Sequence, residues 1–122
     1  MYSDALARKT MTVPKKKLAK KWEEIKRMIE SNYEADYKLA LLEADKVFDE
    51  VLKMAGVRGA DMGERLKRLN KRQLVNLDEI WWAHKLRNSM AHDLKFKLYH
   101  DDARKAIEEF EKAIEEFGAL DF

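Results

Sequence analysis

Apolar side chains recur every three or four residues along four long segments of the chain. In chain order, the segments span about residues 15–31, 32–55, 77–91 and 101–117. Because an α-helix has 3.6 residues per turn, this spacing predicts four helices that each turn one apolar face toward a core. Asp61 and Glu64 form a pair of the kind that caps a helix N-terminus, and predict a short helix from Glu64 to Leu69. The expected fold class is therefore all-α, a bundle of four main helices plus one short helix.

Few residues interrupt this helical pattern. The single proline, Pro14, separates residues 1–14, expected to be a flexible polar and basic arm, from residues 15–122, expected to be the helical bundle domain. Gly56 and Gly118 follow the second and the last long helix, at the position where glycine commonly ends a helix. Residues 95–99 alternate polar and apolar side chains over too short a distance for a sheet, and predict an extended connector.

The composition excludes several classes of protein. The chain contains no cysteine, which excludes disulfide frameworks and thiolate metal sites and fits a reducing compartment. No apolar run approaches the roughly 20 residues that span a bilayer, so we expect a soluble, cytoplasmic protein with no membrane contact. His84 and His92 are eight residues apart, and no His-x-x-x-His pair occurs. We therefore expect no bound metal and no cofactor.

Charge is distributed unevenly, although the formal net charge is only +2. Residues 8–27 are strongly basic and residues 108–121 are strongly acidic. A basic cluster can bind phosphates, which makes the first helix a candidate RNA-binding surface. Its candidate residues are Lys15, Lys16, Lys17, Lys20 and Lys21. Two other interpretations stay open: a solvated helix face, and a segment that pairs with the acidic last helix.

The third long helix carries the most informative pattern. Its apolar arc of Leu77, Ile80 and Trp81 continues toward the C-terminal end as His84, Arg87, Asn88 and His92. Burying such groups is costly unless they are hydrogen-bonded, and ionisable groups in such positions often serve a function. Trp22 and Trp81 lie on apolar stripes and are expected in the core, whereas Trp82 is either packed under another helix or an exposed anchor for a partner subunit.

The spacing Arg87-Asn88-x-x-x-His92 at a helix end resembles the signature of the HEPN superfamily. The resemblance covers the helical order from about Lys15 to Gly118. Two further segments, Ala44-Asp45-Lys46 and Ala83-His84-Lys85, are similar to those of short bacterial proteins that carry this motif. The family includes ribonuclease toxins and the nuclease parts of RNA-targeting immune effectors. Its active members form dimers in which two motifs face one another, and the ribose 2′-hydroxyl attacks the adjacent phosphate without a metal.

By this resemblance each motif residue receives a role. His92 is the catalytic candidate, because an imidazole can accept or donate a proton at neutral pH. Arg87 is the phosphate binder, since its planar fork of donors matches phosphate oxygens, and Asn88 orients its neighbours. His84 and Asp45 are supporting residues: among Glu43, Asp45 and Asp49, Asp45 is the residue we expect to pair with Arg87. The implied partners are a second copy of the chain, RNA and an antitoxin-type protein.

Two other functions stay open from the sequence. The same polar residues can form a hydrogen-bonded network that fixes helix register or closes an interface, which would make the protein a noncatalytic interaction or assembly module. The third possibility is an RNA-binding descendant that no longer cleaves. The sequence also predicts no obvious substrate pocket, and the acidic last helix would repel RNA if it lined a cleft.

Overall fold

The computed structural model describes residues 15–118 as a bundle of five helices. They are α1 (Lys15–Ile29), α2 (Glu34–Met54), α3 (Met62–Lys67), α4 (Leu77–His92) and α5 (His100–Glu116). The all-α prediction of four long helices and one short one is confirmed for this part of the chain. The short helix lies two residues earlier than expected, from Met62 rather than Glu64. The expected arm of residues 1–14, and residues 119–122, lie outside the described residues.

The core lies where the apolar stripes of the long helices meet. Helix α2 packs against α1, α4 and α5, and α4 also packs against α5. Trp22, Phe48 and Phe110 are fully buried, and the rings of Phe48 and Phe110 are 5.5 Å apart between centroids. Each side chain of this size stabilises the fold by about 1.5–3 kcal/mol when it leaves water. The central position of α2 is what brings its polar residues against α4.

Local signals in the sequence set the helix ends. Gly56 and Gly118 have φ angles of +86° and +74°, which glycine adopts without steric cost and which stop α2 and α5. At the start of α3, the Asp61 carboxylate accepts a hydrogen bond from the Glu64 N–H at 2.9 Å. The Glu64 carboxylate in turn accepts one from the Ala60 N–H at 3.2 Å. The predicted capping pair is therefore confirmed, and it fixes the start of α3.

Hydrogen bonds to α5 fix the first turn of α4. The Asn76 amide donates to the carbonyl oxygen and to the carboxylate of Glu109, both at 2.9 Å. The Val75 N–H donates to the Glu116 carboxylate at 3.2 Å. With its N-terminus held in this way, α4 crosses α2 and ends at His92, followed by the predicted connector, which forms no strand.

The connector is itself anchored to α2. Leu98 is fully buried, and its N–H donates to the Glu34 carboxylate at 2.9 Å. This hydrogen bond is the main reason why the pKa of Glu34 lies below its ordinary value. Within residues 15–118, no helix is both long and apolar enough to cross a membrane.

Candidate functional site

Four polar side chains from α2 and α4 form a closed ring of contacts. The Nδ1 atom of His84 lies 2.9 Å from Oδ2 of Asp45, and its Nε2 atom lies 3.4 Å from Nδ2 of Asn88. Oδ1 of Asn88 accepts a hydrogen bond from a terminal nitrogen of Arg87 at 3.1 Å. Nε of Arg87 closes the ring at 3.6 Å from Oδ1 of Asp45. The expected pairing of Asp45 with Arg87 is present, and His84 is a member of the same ring.

The order of donors and acceptors in this ring defines one arrangement of protons. His84 donates from Nδ1 to Asp45 when its Nε2 accepts from the Asn88 amide, which is the pattern of a neutral imidazole. The amide orientation that donates to His84 turns its oxygen toward Arg87, where it accepts. Reversing the amide would place donor against donor at Arg87 and acceptor against acceptor at His84. The ring therefore holds Asn88 in one orientation and limits the motion of Arg87.

Burial differs sharply from one member of the ring to the next. Asp45 and His84 are buried, with 5% and 9% of their surface exposed, whereas 34% of the Arg87 side chain is exposed. Nε of Arg87 is buried and has no hydrogen-bond partner among the described residues. The guanidinium has five N–H donors and makes one hydrogen bond and one ion pair within residues 15–118. Arg87 is thus held from behind, with donors left to bind an anion in front.

The ring forms part of the wall of an open groove of about 680 Å³. The groove runs between α2, α3 with the loop before it, and α4, and His92 lines it together with Arg87 and Asn88. His92 is the last residue of α4, is exposed, and lies outside the hydrogen-bonded ring. The sequence predicted no obvious substrate pocket, and it could not reveal this groove because the second wall is α3, a short helix that follows a loop. All three motif residues are lined up along one side of this groove.

The opposite wall contains a pair that the sequence reasoning missed. Arg65 on α3 donates two hydrogen bonds to the Asp49 carboxylate, at 2.7 and 2.9 Å, and a third to the carbonyl oxygen of Gly59. Only 5% of Arg65 is exposed. The hydrogen-bonded carboxylate raises the pKa of Arg65 above its ordinary value. One signal was present: Asp49 lies one turn after Asp45, so both carboxylates project from the same face of α2.

Positive charge predominates along the groove. Five cationic side chains line it against three carboxylates, and two of those carboxylates, Asp45 and Asp49, each face an arginine. The cations are Lys53, Arg65, Lys67, Lys85 and Arg87. Lys53 also lies 3.3 Å from Glu50 and 3.8 Å from Asp49. Since the side chains of Lys67 and Lys85 are exposed, the groove favours an anionic ligand.

The predicted RNA-binding lysines lie elsewhere. Lys15, Lys16, Lys17, Lys20 and Lys21 all belong to α1, and none of them lines the groove. Lys21 is 3.4 Å from Glu43 on α2 and 3.9 Å from Glu24. One turn and a half further on, Lys26 is 3.7 Å from Glu111 on α5. Pairing between α1 and the acidic last helix, one of the alternatives, therefore occurs at Lys26.

The three tryptophans occupy three different environments. Trp22 is fully buried, as expected, and its indole N–H donates to the Glu111 carboxylate. Trp81, expected in the core, is only half-buried and lines the groove, with its ring edge-on to His84 at 6.4 Å between centroids. Trp82 is also half-buried and does not line this groove; it lines an adjoining pocket together with Trp81 and Lys85, and the Lys105 ammonium lies 5.1 Å from its ring centroid.

No family model matches this chain, and neither a curated protein nor a solved structure matches it. The resemblance to the HEPN superfamily therefore stands on the motif residues and on the order of the helices. Among residues 15–118, no three His, Cys, Asp or Glu side chains are grouped so that they could hold a metal ion. What the site can do has to be argued from its own side chains.

Proposed function

We propose that this protein is a HEPN-like, metal-independent endoribonuclease that acts as a homodimer with the Arg87-Asn88-x-x-x-His92 motif at the interface. One observation carries the proposal: the three motif residues line one groove, and Arg87 is held there by Asp45 with donors still available. An arginine fixed behind and open in front is suited to bind a phosphate with two parallel hydrogen bonds.

The proposed reaction moves two protons and needs no water. The ribose 2′-oxygen forms a bond to the adjacent phosphorus, the bond from phosphorus to the 5′-oxygen breaks, and the products are a 2′,3′-cyclic phosphate and a 5′-hydroxyl. One imidazole accepts the proton of the 2′-hydroxyl and another donates a proton to the leaving oxygen. A chain with a single His92 supplies both only when two copies of the motif meet, which is why the proposal includes a homodimer.

Arg87 and the ring behind it have separate tasks in this proposal. Negative charge increases on the phosphoryl oxygens as the fifth bond forms, and the Arg87 guanidinium stabilises that charge. Asn88 holds the guanidinium from the side, and His84 with Asp45 holds Asn88 and Arg87 in register. We further propose a cytoplasmic location for this reaction and, from the resemblance, an antitoxin-type protein partner that blocks the groove.

A noncatalytic interaction or assembly module is the second candidate. The observation that favours it is the chain of hydrogen-bond contacts from Asp45 through His84 and Asn88 to Arg87, which is the kind of contact that a buried structural network makes. Exposed apolar side chains near the end of α4 offer a surface for such a role, with Leu94 96% exposed. On this interpretation the polar cluster fixes the packing of α4 on α2, and His92 has no chemical task.

Cleavage of RNA in EDTA separates the two candidates. Purified protein is incubated with mixed single-stranded RNA beside identically prepared Arg87→Ala, His92→Ala and Arg72→Ala variants, and the ends of the fragments are analysed. Arg72 is exposed and does not line the groove, so it is the matched control for a lost arginine. We expect the parent and Arg72→Ala to leave 2′,3′-cyclic phosphate, and the two motif variants to lose at least about 100-fold in rate.

The stability of the same variants decides the alternative. His92 is exposed and outside the ring, so His92→Ala should change the free energy of unfolding by less than about 0.5 kcal/mol. If no variant and no parent protein cleaves RNA, while loss of Arg87 or His92 destabilises the fold or dissolves a dimer, the cluster is structural. Cleavage that persists in His92→Ala would remove His92 from the reaction.

A further inference from the structure

We propose that Trp81 is a stacking platform for one unpaired base of a single-stranded RNA whose phosphate is bound at Arg87. The inference rests on the proposed function and names its substrate class: single-stranded rather than duplex RNA. It also assigns a binding role to a residue that the sequence pattern placed in the core. The observations that carry it are the exposure of the indole in the groove and its place on one stripe of α4.

The stripe consists of Trp81, Lys85, Asn88 and His92, spaced by four, three and four residues. Side chains with this spacing lie on one face of a helix, and all four line the groove. Trp81 is six residues before Arg87, a separation of about 9 Å along the helix axis. Arg87 also lies about 120° around the helix from Trp81, so a base on Trp81 and a phosphate at Arg87 are at least about three nucleotides apart in a strand whose nucleotides are spaced by about 3.4 Å.

The surroundings of the indole suit a nucleotide better than an apolar partner. The rings of Trp81 and His84 meet in an edge-type contact, with centroids 6.4 Å apart, and the Lys85 ammonium lies over the indole, 5.8 Å from its centroid. An aromatic ring next to an exposed lysine is a combination that single-stranded nucleic acids bind, with the base on the ring in place of the ammonium and a phosphate on the cation. Bases inside a duplex are already stacked on one another and cannot reach such a face.

Trp82 provides the matched control. It is the next residue on the same helix, is half-buried like Trp81, and has a lysine over its ring, Lys105 at 5.1 Å. It does not line the groove that contains Arg87 and His92. Removing either indole therefore costs similar packing, whereas only Trp81 is placed to contact an RNA bound along the motif.

Binding of an RNA that cannot be cleaved tests the inference apart from catalysis. The probe is a short single-stranded RNA of mixed sequence with 2′-O-methyl groups, which block the attacking oxygen, used alone and annealed to its complement. Affinity is measured by fluorescence anisotropy in EDTA for the full chain and for Trp81→Leu, Trp81→Phe and Trp82→Leu. We expect Trp81→Leu to weaken single-strand binding about tenfold, Trp81→Phe to restore most of it, and Trp82→Leu to change it less than about twofold.

Several results would overturn the inference. The first is an equal loss of RNA affinity in Trp81→Leu and Trp82→Leu. The second is binding of the duplex as tight as binding of the single strand, and the third is no binding of either RNA. If Trp81→Leu instead changes the oligomeric state and leaves RNA affinity unchanged, Trp81 is an anchor for a second copy. If Trp81→Leu fails to fold, indole emission of Trp82→Phe is followed during RNA addition: quenching supports stacking on Trp81, and unchanged emission contradicts it.

Cleavage of unmodified RNA by the same proteins tests the proposed function separately from the binding measurement. If the parent protein cleaves unmodified RNA and the Trp81→Leu variant cleaves it with the same rate and KM, the ribonuclease proposal stands and the stacking role of Trp81 is wrong. A parent protein that neither cleaves unmodified RNA nor binds the methylated probe removes both proposals. We expect Trp81→Leu to raise KM about tenfold and to change kcat little, because the base contact is equally strong before and during the reaction.

Discussion

The two walls of the groove use the same pair of residue types in opposite ways. On the wall formed by α3, Arg65 donates two short hydrogen bonds to Asp49, and its side chain is 6% exposed. On the wall formed by α4, Nε of Arg87 lies 3.6 Å from Asp45, and the Arg87 side chain is 34% exposed. Both carboxylates project from α2, one turn apart. The donors of Arg65 are used in contacts that stabilise the fold, whereas Arg87 keeps donors that can bind a ligand.

This difference shows how a structural arginine can be told from a binding one. A buried guanidinium with a carboxylate and a carbonyl oxygen in contact leaves little to offer a phosphate, even where it borders a cavity. A guanidinium that is held at two nitrogens and remains partly exposed, as Arg87 is, has lost mobility but keeps donors that can bind a ligand. Arg65 therefore belongs to the framework that holds α3 against α2, and Arg87 belongs to the site.

The strongest test of this contrast is to remove each arginine by a substitution of similar size. Arg65→Met should lower the free energy of unfolding by about 3 kcal/mol, because it breaks a buried ion pair and leaves the Asp49 carboxylate without its two hydrogen bonds. Arg87→Met should cost only about 1 kcal/mol, since the Asp45 carboxylate keeps its hydrogen bond to His84. Urea denaturation of both variants measures the two losses. Equal losses would mean that Arg87 is as structural as Arg65.

The loop before α3 comes close to Arg65, and this contact offers a second test with a smaller expected loss of stability. A Cβ added at Gly59 would lie 2.8 Å from the backbone nitrogen of Arg65, a contact that the backbone can relieve only by moving. We expect Gly59→Ala to destabilise the protein by about 2 kcal/mol, the typical cost of overpacking. Gly63→Ala is the matched control, because a Cβ there meets only Asp61 Oδ1, at 3.4 Å. Thermal unfolding compares the two.

A larger loss of stability in Gly63→Ala than in Gly59→Ala would contradict this account of the wall. If Gly59→Ala is as stable as the parent protein but binds RNA more weakly, the loop has moved without unfolding. The wall formed by α3 is then more adaptable than its contacts indicate.

The sequence predicted the long helices well because each has a clear apolar stripe, and Trp22, Phe48 and Phe110 lie where that stripe placed them. It also predicted the Asp45 and Arg87 contact, with Asp45 chosen among the three acidic residues Glu43, Asp45 and Asp49 of one helix. It did not reveal the groove, because the wall formed by α3 depends on how a loop folds back, and Arg65 pairs with a residue 16 positions away. Trp81 packs against the core as predicted but is only half-buried, because its stripe is apolar before it and polar after it, and periodicity alone does not say where burial ends.

The smallest expected effects distinguish the groove from the basic start of α1. Lys67 and Lys85 line the groove and are exposed, whereas Lys16 and Lys20 are exposed on α1 and do not line it. For single-stranded RNA, each lost phosphate contact lowers the slope of log affinity against log salt by about 0.7. Lys67→Gln combined with Lys85→Gln should therefore reduce the slope by about 1.4, and Lys16→Gln combined with Lys20→Gln should leave it unchanged. Anisotropy titrations over a range of salt concentrations measure both slopes. The reverse result would move the RNA-binding surface to α1, where the local density of lysine is higher but where no described groove brings the cations together with the motif.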